Sequence, residues 1–241
     1  VLNWEDPVTR GMADRVRCRV AWFSSRNPVP FGAFVQDGMI VYGTPQDNRQ
    51  VCPPGEVYIP GEHNLKNALA ATAMAMAAGI PAPVIRHTLR TFKGVEHRIE
   101  FVRELDGVRF INDSKGTNVD STIQAVRAMD RPTVLILGGY DKHTDFTPLC
   151  KEILRCPISR IVLIGATARQ LEQTLEQVGY HAWTHAGYEF KKAVMMAFEQ
   201  ANAGGNVLLS PSCASFDMFN DYEERGRIFK DIVNALESRG A

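Results

Sequence analysis

Short apolar runs separated by helical patterns fill the second half of the chain. The runs are Thr133–Leu137, Ile161–Ile164 and Val207–Leu209. Continuous apolar runs of this length, with helices between them, predict parallel strands that are buried on both faces of a sheet. Right-handed crossovers between such strands favour an α/β fold with a doubly wound, mostly parallel, Rossmann-like sheet. The helices predicted here are Ser121–Met129, Pro148–Leu154, Ala168–Val178, Phe190–Ala201 and Tyr222–Ser238.

The part of the chain before residue 95 has a different pattern, with short strands followed by two helices. Asp37-Gly38 is a type I′ hairpin signal between two of the strands. Glu62–Gly79 is rich in Ala, Met and Leu, which predicts a helix that its final glycine stops. A second helix is predicted to begin at Pro81 and Pro83 and to run to about Phe92. The strands predicted here are Val20–Ser24, Ala33–Gln36, Met39–Tyr42 and Val57–Ile59.

A change of pattern near Val95–Arg98 marks a domain boundary. Directly after it, a second Asp-Gly turn, Asp106-Gly107, separates the β-rich segments Glu100–Leu105 and Val108–Asn112. We therefore expect two domains, residues 1–95 and residues 96–241, the second of which holds the doubly wound sheet.

Composition and charge argue against several functional classes. The 27 Lys and Arg residues balance 27 Asp and Glu residues, so the net charge does not favour nucleic acid or an anionic membrane as a partner. No apolar run reaches the roughly 18 residues that span a bilayer. The 5 cysteines and the histidines lack metal-site spacing, so we expect reduced thiols and no bound metal. A start at Val1 without a signal peptide suggests a cytoplasmic protein that continues upstream.

The loop Asn112–Asn118 is the first of four candidates for chemistry. It combines Asp113, Lys115 and Thr117 before a helix, and the free N–H groups of a helix start favour an anion. A lysine suits phosphate, and a carboxylate suits ribose hydroxyls. The alternative is a structural loop that caps the helix with Ser114, Asn118 or Asp120.

Two further loops follow the strands that end at Leu137 and Leu209. Gly138-Gly139 lets a ligand approach the backbone closely, and Lys142 suits a carboxylate. The loop Ser210–Asp217 carries several hydroxyls, which we expect just before a helix start, where a carboxylate ligand is favoured. Solvated turns and ordinary helix caps are the alternatives for these two loops.

The fourth loop, Gly61–Asn67, lies at the start of the first long helix. Asn64 and Asn67 are three positions apart and so share a helix face. Two amides can read an adenine edge by donating and accepting together, whereas capping explains Asn64 but not Asn67. Arg98, beside His97 at the domain boundary, suits a phosphate or a structural carboxylate.

Taken in order, these segments resemble the Mur ligases. Gly61–Asn67 is similar to their G-x-H-N-x-x-N helix start, and His97-Arg98 looks like the H-R pair at the entrance to their C-terminal domain. The loop Asn112–Asn118, N-D-S-K-G-T-N, resembles the members that add D-glutamate. Gly138–Lys142 and Ser210–Ser215 are also similar to loops of those members, and the resemblance covers essentially the whole chain.

The resemblance implies a reaction and its partners. ATP would phosphorylate the L-alanine carboxylate of UDP-N-acetylmuramoyl-L-alanine, with Mg²⁺ accompanying the nucleotide. The amine of D-glutamate would attack the acyl phosphate and expel phosphate. The second domain would carry D-glutamate and close on the first. Such an enzyme of peptidoglycan synthesis is expected to be a cytoplasmic monomer without nucleic-acid or membrane partners.

The resemblance also implies roles for individual residues, position by position. Asn64 and Asn67 would read adenine, and Arg98, Asp113 and Lys115 would contact the nucleotide. Arg98 and Lys115 would in addition act at the reacting phosphate. The residues implied for D-glutamate are Thr117, Lys142, Ser215, Phe216 and Tyr222.

One departure from the Mur ligase pattern is large. The chain has no G-x-x-x-x-G-K-[ST] loop, which these enzymes need for ATP phosphates and magnesium. Val1–Pro7 resembles a strand late in their central ATPase domain, so residues 1–95 would be the tail of that domain and residues 96–241 the C-terminal domain. We expect the isolated chain to be inactive. The alternatives are a sister amide ligase such as folylpolyglutamate synthase, and a stand-alone nucleotide-binding or interaction module.

Overall fold

The computed structural model describes residues 1–59, 61–140 and 144–239. The chain divides into two compact units, unit 1 with residues 1–94 and unit 2 with residues 95–241. Each unit has its own sheet and its own hydrophobic core, as separate domains do. No helix in these described ranges is long and apolar enough to cross a membrane.

Unit 1 is built on a five-stranded sheet whose strands lie in sequence order. The strands are β1 (Leu2–Asn3), β2 (Trp22–Ser24), β3 (Gly32–Gln36), β4 (Met39–Gly43) and β5 (Asn48–Cys52). The first three run parallel, and the last three form an antiparallel meander. Asp37 and Gly38 have left-handed φ angles of 52° and 74°, which confirms the predicted tight hairpin between β3 and β4.

Two long helices cover the sheet of unit 1. The helices of this unit are α1 (Pro7–Gly11), α2 (Glu62–Ala77) and α3 (Ala82–Thr91), which confirms the two helices predicted from sequence. Gly79 follows α2 with a left-handed φ of 81°, so the predicted glycine stop is confirmed as well. The core between these helices and the sheet contains Ala33, Ile40, Val51, Cys52, Leu69, Ala73 and Ile85.

The strand predicted at Val57–Ile59 is wrong. That segment follows a 3₁₀ turn at Pro54–Glu56 and lies outside the sheet. The fifth strand is β5, whose polar start Asn48-Arg49-Gln50 shows no apolar pattern. As β5 has a single sheet neighbour, β4, part of its side chains can face water, and this explains why the hydrophobic pattern missed it.

Unit 2 contains a six-stranded sheet in the order β10-β9-β8-β11-β7-β6, in which only β6 is antiparallel to its neighbour. Its strands are β6 (Glu100–Leu105), β7 (Val108–Asn112), β8 (Thr133–Gly138), β9 (Ile158–Ile164), β10 (Trp183–Gly187) and β11 (Asn206–Leu209). β8 and β11 are buried along their whole length, as their continuous apolar runs predict.

Helices cover both faces of this sheet. They are α4 (Val119–Arg127), α5 (Thr147–Ile153), α6 (Ala168–Gln177), α7 (Phe190–Gln200) and α8 (Tyr222–Ala235). The first three share one hydrophobic cluster with the sheet, and the last two share the cluster on the opposite face. The predicted doubly wound, mostly parallel α/β fold is therefore confirmed.

The sequence patterns do not predict β10. This strand lies at the edge of the sheet beside β9, and Ala186 is its one fully buried residue. Trp183 and Thr184 are half-buried and His185 is exposed, so the segment lacks the apolar run that identifies the inner strands. An edge strand owes its place to pairing with a neighbour rather than to its own hydrophobicity.

Candidate functional site

Three of the candidate loops leave the same edge of the unit 2 sheet. β11 lies between β7 and β8 and runs parallel to both, with Leu209 opposite Asn112 and Ile136. The loops that follow these three strands therefore start side by side. This carboxyl edge is where ligands bind in open α/β sheets.

Backbone hydrogen bonds tie these loops to one another. The Gly116 carbonyl, after β7, accepts from Ser212 N over 2.8 Å. The Ala214 carbonyl accepts from Tyr140 N, after β8, over 2.9 Å. The loop after β11 is thus joined to the loop after β7 on one side and to the loop after β8 on the other.

Asp113, at the start of the loop after β7, is only 4% exposed. Its Oδ2 accepts from Ser210 Oγ over 2.6 Å, and its Oδ1 accepts from Ile99 N over 3.2 Å. Burial raises the pKa of Asp113 to about 7, although these two hydrogen bonds oppose the shift. A contact between Asp113 and a nucleotide stays a prediction, and each carboxylate oxygen retains a lone pair beyond these hydrogen bonds.

The cap of the helix after this loop is Asn118. Its side chain accepts from Ser121 N over 2.9 Å, whereas Ser114 and Asp120 do not cap α4. Of the three residues proposed as the structural cap of this helix, Asn118 is therefore the cap. Capping does not account for Asp113 and Lys115.

Lys115 and Tyr222 are neighbours at the carboxyl edge. Lys115 is exposed, and its Nζ lies 5.7 Å from the centre of the Tyr222 ring, within the range of a cation–π contact. Thr117 is half-buried on the same loop. The tertiary structure thus brings together side chains that the resemblance assigns to phosphate and to amino-acid binding, and these roles stay predictions.

Arg225, in the first turn of α8, is a residue of this edge that the sequence motifs do not include. Its Nε donates to Ser114 Oγ over 2.9 Å, and its Nη2 donates to the Ser114 carbonyl over 2.8 Å. Both Nη atoms also donate to the Cys213 carbonyl over 3.2 Å. The fully buried guanidinium therefore joins the loops after β7 and β11 through neutral acceptors, and burial lowers its pKa to about 10.

A signal for Arg225 is present in the sequence. Arg225, Phe229 and Val233 are spaced four residues apart on α8, and all three are buried. An arginine in the buried stripe of a helix requires several hydrogen-bond acceptors around it, because an unpaired buried charge is costly. The position of Arg225 in this stripe could have identified it, from the sequence, as a residue that holds the site together.

The segment that leads into unit 2 has an unusual backbone around Arg98. His97 and Ile99 have left-handed φ angles of 64° and 46°, which non-glycine residues adopt at a cost. The His97 ring is buried, with Nδ1 2.9 Å from Asn112 Nδ2, and it leaves no room for a side chain at Gly226. Burial lowers the pKa of His97, so the neutral ring is favoured. Arg98 itself is exposed.

The helix that follows the hydroxyl-rich loop after β11 begins at its predicted residue, but other residues separate it from the hydroxyls. α8 begins only at Tyr222, and Asp221 is its cap. Before it, the chain makes a turn in which the Ser215 carbonyl accepts from Met218 N over 3.0 Å and from Phe219 N over 2.8 Å. The hydroxyls of this loop therefore do not lie at a helix N-terminus, and that of Ser210 donates to Asp113 in the loop after β7.

Ser215 and Phe216 differ sharply in exposure. Ser215 is buried, whereas Phe216 is 63% exposed and lies edge-on to Tyr140 with 6.1 Å between ring centres. Within the described ranges, the Ser215 hydroxyl makes no hydrogen bond, and its role in substrate binding stays a prediction. Phe216 directly follows Ser215 in sequence, and its exposed ring with that of Tyr140 marks the solvent side of this edge.

Lys142 lies outside the described residues. The glycines before it, Gly138 and Gly139, have left-handed φ angles of 118° and 150°. A Cβ on Gly138 would collide with the Ile164 carbonyl, and one on Gly139 would collide with the Ala214 carbonyl. The two glycines thus allow close approach of neighbouring backbone, which accounts for them without a ligand.

In unit 1, Asn64 and Asn67 lie on the first turns of α2. The helix begins at Glu62 with Gly61 in the cap position, so the capping alternative for Asn64 is wrong. Asn67 Nδ2 donates to Asn64 Oδ1 over 3.4 Å, which confirms that the two amides share a face. Asn67 is exposed and Asn64 is half-buried. Their role in adenine binding stays a prediction.

Glu5 is the centre of a cluster of polar contacts in unit 1, and the sequence motifs do not include it. Its Oε1 accepts from Ser24 Oγ, from Ser25 N and Oγ, and from Arg26 N over 2.7 to 3.0 Å. Its Oε2 lies 3.0 Å from Lys66 Nζ on α2. Burial alone would raise the pKa of Glu5, but the Lys66 contact and the serine donors outweigh it and lower the pKa to about 2.

The described part of the chain holds no group of three or more His, Cys, Asp or Glu side chains that could bind a metal ion. The donor sets at Glu5 and Asp113 consist of single carboxylates that protein groups already satisfy. These residues do not form a magnesium site by themselves, because Mg²⁺ needs several oxygen ligands in octahedral geometry.

Comparison with known proteins supplies the family. Residues 97–213 match the family model described as Mur ligase, glutamate ligase domain. Relatives with 45–48% identity match nearly the whole chain. The chain belongs to the Mur ligase family. The resemblance of its loops to Mur ligase motifs is thereby confirmed at the level of the family.

Two curated relatives of this chain are both named UDP-N-acetylmuramoylalanine–D-glutamate ligase. The protein of Thermoanaerobacter sp. (strain X514) is 48% identical over 238 residues, which cover 98% of this chain and 52% of the relative. The protein of Caldanaerobacter subterraneus subsp. tengcongensis is 45% identical over 237 residues, with the same coverage of 98% and 52%. The chain spans about half the length of the curated relatives it matches.

Solved structures share the fold of this Mur ligase chain at low identity. MurF from Acinetobacter baumannii superposes with a TM-score of 0.68 over 97% of this chain and 51% of its own length. The identity is 17%, so this likeness supports the architecture and not the substrate.

Proposed function

We propose that this chain is part of an ATP-dependent ligase that joins D-glutamate to UDP-N-acetylmuramoyl-L-alanine in peptidoglycan precursor synthesis. The observation that carries the proposal is the 48% identity, over 98% of the chain, to a relative with the name of that ligase. The carboxyl edge of unit 2 carries side chains that suit the binding of phosphate and of a substrate carboxylate. This supports the same class of reaction.

The two units would divide the work. Residues 1–95 would be the end of the ATP-binding domain, and residues 96–241 would be the domain that binds D-glutamate. The match of residues 97–213 to a glutamate ligase domain supports the second assignment. For the first, the support is the pair of amides at the start of α2, which has the hydrogen-bonding capacity to read an adenine edge.

The chemistry we propose is formation of an acyl phosphate followed by amide-bond formation. The γ-phosphoryl group of ATP would pass to the L-alanine carboxylate. The amine of D-glutamate would then attack the acyl carbon, and phosphate would leave from the tetrahedral intermediate. Such a reaction depends mainly on positioning and on charge stabilisation, because the substrates supply the reacting groups themselves.

Exposed cations would stabilise the charge that develops on phosphate. Lys115 extends from the loop after β7 toward solvent above Tyr222, and Arg98 is exposed between two left-handed residues. A lysine acts on phosphate as a point charge, and an arginine can bind two oxygens at once. We assign Lys115 and Arg98 to the reacting phosphate, and Asp113 with these two to the nucleotide.

The amino-acid site would lie between the loops after β7, β8 and β11. Ser215 has a hydroxyl free of other described residues, and Lys142 would supply a positive charge for a substrate carboxylate. Thr117 and Tyr222 line the same edge. Phe216 would contribute its backbone and an exposed ring beside the site.

The proposal includes conditions that concern the whole enzyme. ATP would bind together with Mg²⁺, whose ligands would lie mostly outside this chain, and we derive no step through the metal. The enzyme would be a cytoplasmic monomer. The isolated chain would have no ligase turnover, because it lacks a phosphate-binding G-x-x-x-x-G-K-[ST] loop. Measurable turnover by the chain alone would contradict this last statement.

The test is calorimetric titration of the chain with D-glutamate and, separately, with L-glutamate, each with and without ATP. We expect weak heat that is selective for the D isomer and that is lost in Lys142→Ala and in Ser215→Ala. Ser159→Ala is the matched control, because Ser159 is an exposed residue near the amino-terminal end of β9, away from the carboxyl edge.

The outcomes separate the candidates clearly. Equal heats with the two isomers, or heat that survives both substitutions, would contradict the assignment of the D-glutamate site. Heat with L-glutamate alone would favour a sister amide ligase. Circular dichroism of each variant, compared with the unmodified chain, distinguishes loss of the site from loss of the fold.

A further inference from the structure

The loop after β9, Gly165 to Thr167, belongs to the carboxyl edge although no sequence motif includes it. Thr167 is only 1% exposed. Its Oγ1 accepts from Gly139 N over 3.1 Å and lies 3.2 Å from the Gly139 carbonyl and 3.4 Å from Cys213 Sγ. Thr167 N donates to the Gly139 carbonyl over 3.1 Å. One threonine therefore connects the loops after β8, β9 and β11.

Thr167 makes these contacts at the expense of its local role. It holds the cap position of α6, where a threonine hydroxyl ordinarily accepts from the N–H groups of the first turn. Here its side chain makes no such capping bond. Places where a side chain gives up a local preference for a tertiary contact are concentrated at functional sites.

Asp217 provides a second connection between the same loops. Its Oδ2 accepts from Ala166 N over 3.1 Å, at the positive end of α6, where a carboxylate is favoured. Gly165 has a left-handed φ of 69°, and a Cβ there would collide with that carboxylate. Asp217 Oδ1 is buried and has no hydrogen-bond partner among the described residues. Among the described residues, a single hydrogen bond therefore holds the carboxylate against the loop after β9.

These two connections enclose the predicted amino-acid site. Thr167 contacts Cys213, two residues before Ser215, and Asp217 lies two residues after Ser215. Thr167 also holds Gly139, three residues before Lys142. The loop after β9 thus fixes the chain on both sides of Ser215 and at the base of the loop that carries Lys142.

We infer that Thr167 and Asp217 are positioning residues for the amino-acid substrate. They act through the backbone of the loops after β8 and β11 and do not touch the substrate themselves. The inference rests on the proposed function and extends it, because it names residues that set the affinity for D-glutamate without taking part in nucleotide binding. Loss of either contact would let Ser215 move from the position that binds a carboxylate.

Steady-state kinetics of the full-length ligase, with D-glutamate and ATP varied separately, test this inference. Thr167→Val keeps the shape of the side chain and removes the hydroxyl. We expect KM for D-glutamate to rise about tenfold, the effect of losing one to two hydrogen bonds, while KM for ATP changes less than about twofold. Thr167→Ser restores the hydroxyl and should restore most of the affinity for D-glutamate.

Matched controls separate positioning from general stability. Thr174→Val is the same substitution on the same helix, where the Thr174 hydroxyl donates to the Gln170 carbonyl within α6, and it should leave both KM values unchanged. Asp217→Ala is an independent variant at a half-buried residue, and it decides the matter if Thr167→Val lowers the melting temperature too far for assay. Like Thr167→Val, this variant is expected to raise KM for D-glutamate much more than KM for ATP.

Three results would overturn the inference. They are unchanged KM for D-glutamate in both variants, an equal rise in the two KM values, and failure of Thr167→Ser to restore affinity in a folded protein. A full-length wild-type enzyme with no D-glutamate-dependent turnover would instead overturn the proposed function, and the inference with it.

Discussion

Two carboxylates, the half-buried Glu5 in unit 1 and the buried Asp113 in unit 2, have pKa values shifted in opposite directions. Glu5 accepts four hydrogen bonds on one oxygen and faces the Lys66 ammonium with the other, and its pKa is lowered to about 2. Asp113 accepts two hydrogen bonds and has no cation within ion-pair distance among the described residues, and its pKa is raised to about 7.

The comparison shows that burial alone does not set the charge state of a carboxylate. Desolvation raises the pKa in both cases, and the outcome depends on how many donors, and which charge, oppose it. Unit 1 pairs its half-buried Glu5 carboxylate with the Lys66 ammonium. Unit 2 holds Asp113 and Arg225 with neutral partners, so each keeps a perturbed pKa. Perturbed ionisable groups of this kind are typical of functional sites.

The largest loss of stability is expected from substitution of Arg225, the buried cation of unit 2. Arg225→Met should lower the free energy of unfolding by about 3–5 kcal/mol, because it leaves the Ser114 and Cys213 carbonyls without their donor. Urea unfolding measures the change. Arg127→Met, which breaks a surface ion pair with Glu152, is the matched control and should cost less than about 1 kcal/mol. Similar losses in the two variants would show that the guanidinium is not a structural centre.

The next effect concerns the ion-paired carboxylate of unit 1. Because the pKa of Glu5 is lowered in the folded state, its stabilising contribution is present above pH 4.5 and is lost as the pH falls toward 2. Glu5→Gln should therefore lower the stability of unit 1 by about 2 kcal/mol at pH 7 and by much less at pH 2. In a Trp183→Phe background, fluorescence of Trp4 and Trp22 reports unfolding of unit 1. A pH-independent loss would contradict the ion-pair explanation.

Substitution of Asp113 is expected to change the free energy of unfolding by a smaller amount and in the opposite direction. Its pKa is raised in the folded state, so stability falls as the pH rises from about 4 to about 7 and the buried carboxyl ionises. A neutral side chain removes this penalty. Asp113→Asn should match the wild type at pH 4 and exceed it by about 1–2 kcal/mol at pH 8, because the amide can still accept from Ile99 N. Equal differences at the two pH values would contradict the raised pKa.

The smallest effect tests the donors around Glu5 one at a time. Ser25→Ala removes the hydroxyl donor and keeps the backbone N–H, so it should cost about 1 kcal/mol or less and raise the pKa of Glu5. Acid titration of unit 1 stability measures the shift of the midpoint. A midpoint that stays unchanged would mean that the Lys66 ion pair, rather than the cluster of donors, keeps the pKa low.

Local chemistry made part of the fold predictable. The hairpin at Asp106-Gly107 has β6 and β7 at the predicted bounds, because a two-residue turn of this type sets the pairing of the strands beside it. The inner strands β8 and β11 were identified by their apolar runs. The edge strands β5 and β10 were not, because their polar residues form strands only when a neighbouring strand supplies the hydrogen bonds.

The candidate site divides in the same way. Asp113, Lys115 and Ser215 can be selected from sequence, because they lie in loops that follow predicted strands and carry polar side chains. Glu5 and Thr167 cannot be selected from sequence, since their partners are far from them along the chain, and Arg225 is indicated only by its place in the apolar stripe of α8. Thr167 meets Cys213 and Arg225 meets Ser114 only after the sheet has placed β11 between its neighbours.

The sequence by itself determined the doubly wound class, the family and the loops that hold the polar side chains, because these depend on local periodicity and on short motifs. Only the tertiary structure decided that Asp113 is buried with a raised pKa, that Arg225 joins two loops, and that Thr167 leaves its helix uncapped. Desolvation and long-range hydrogen bonds depend on what surrounds a group in space, and no pattern along the chain specifies that surrounding.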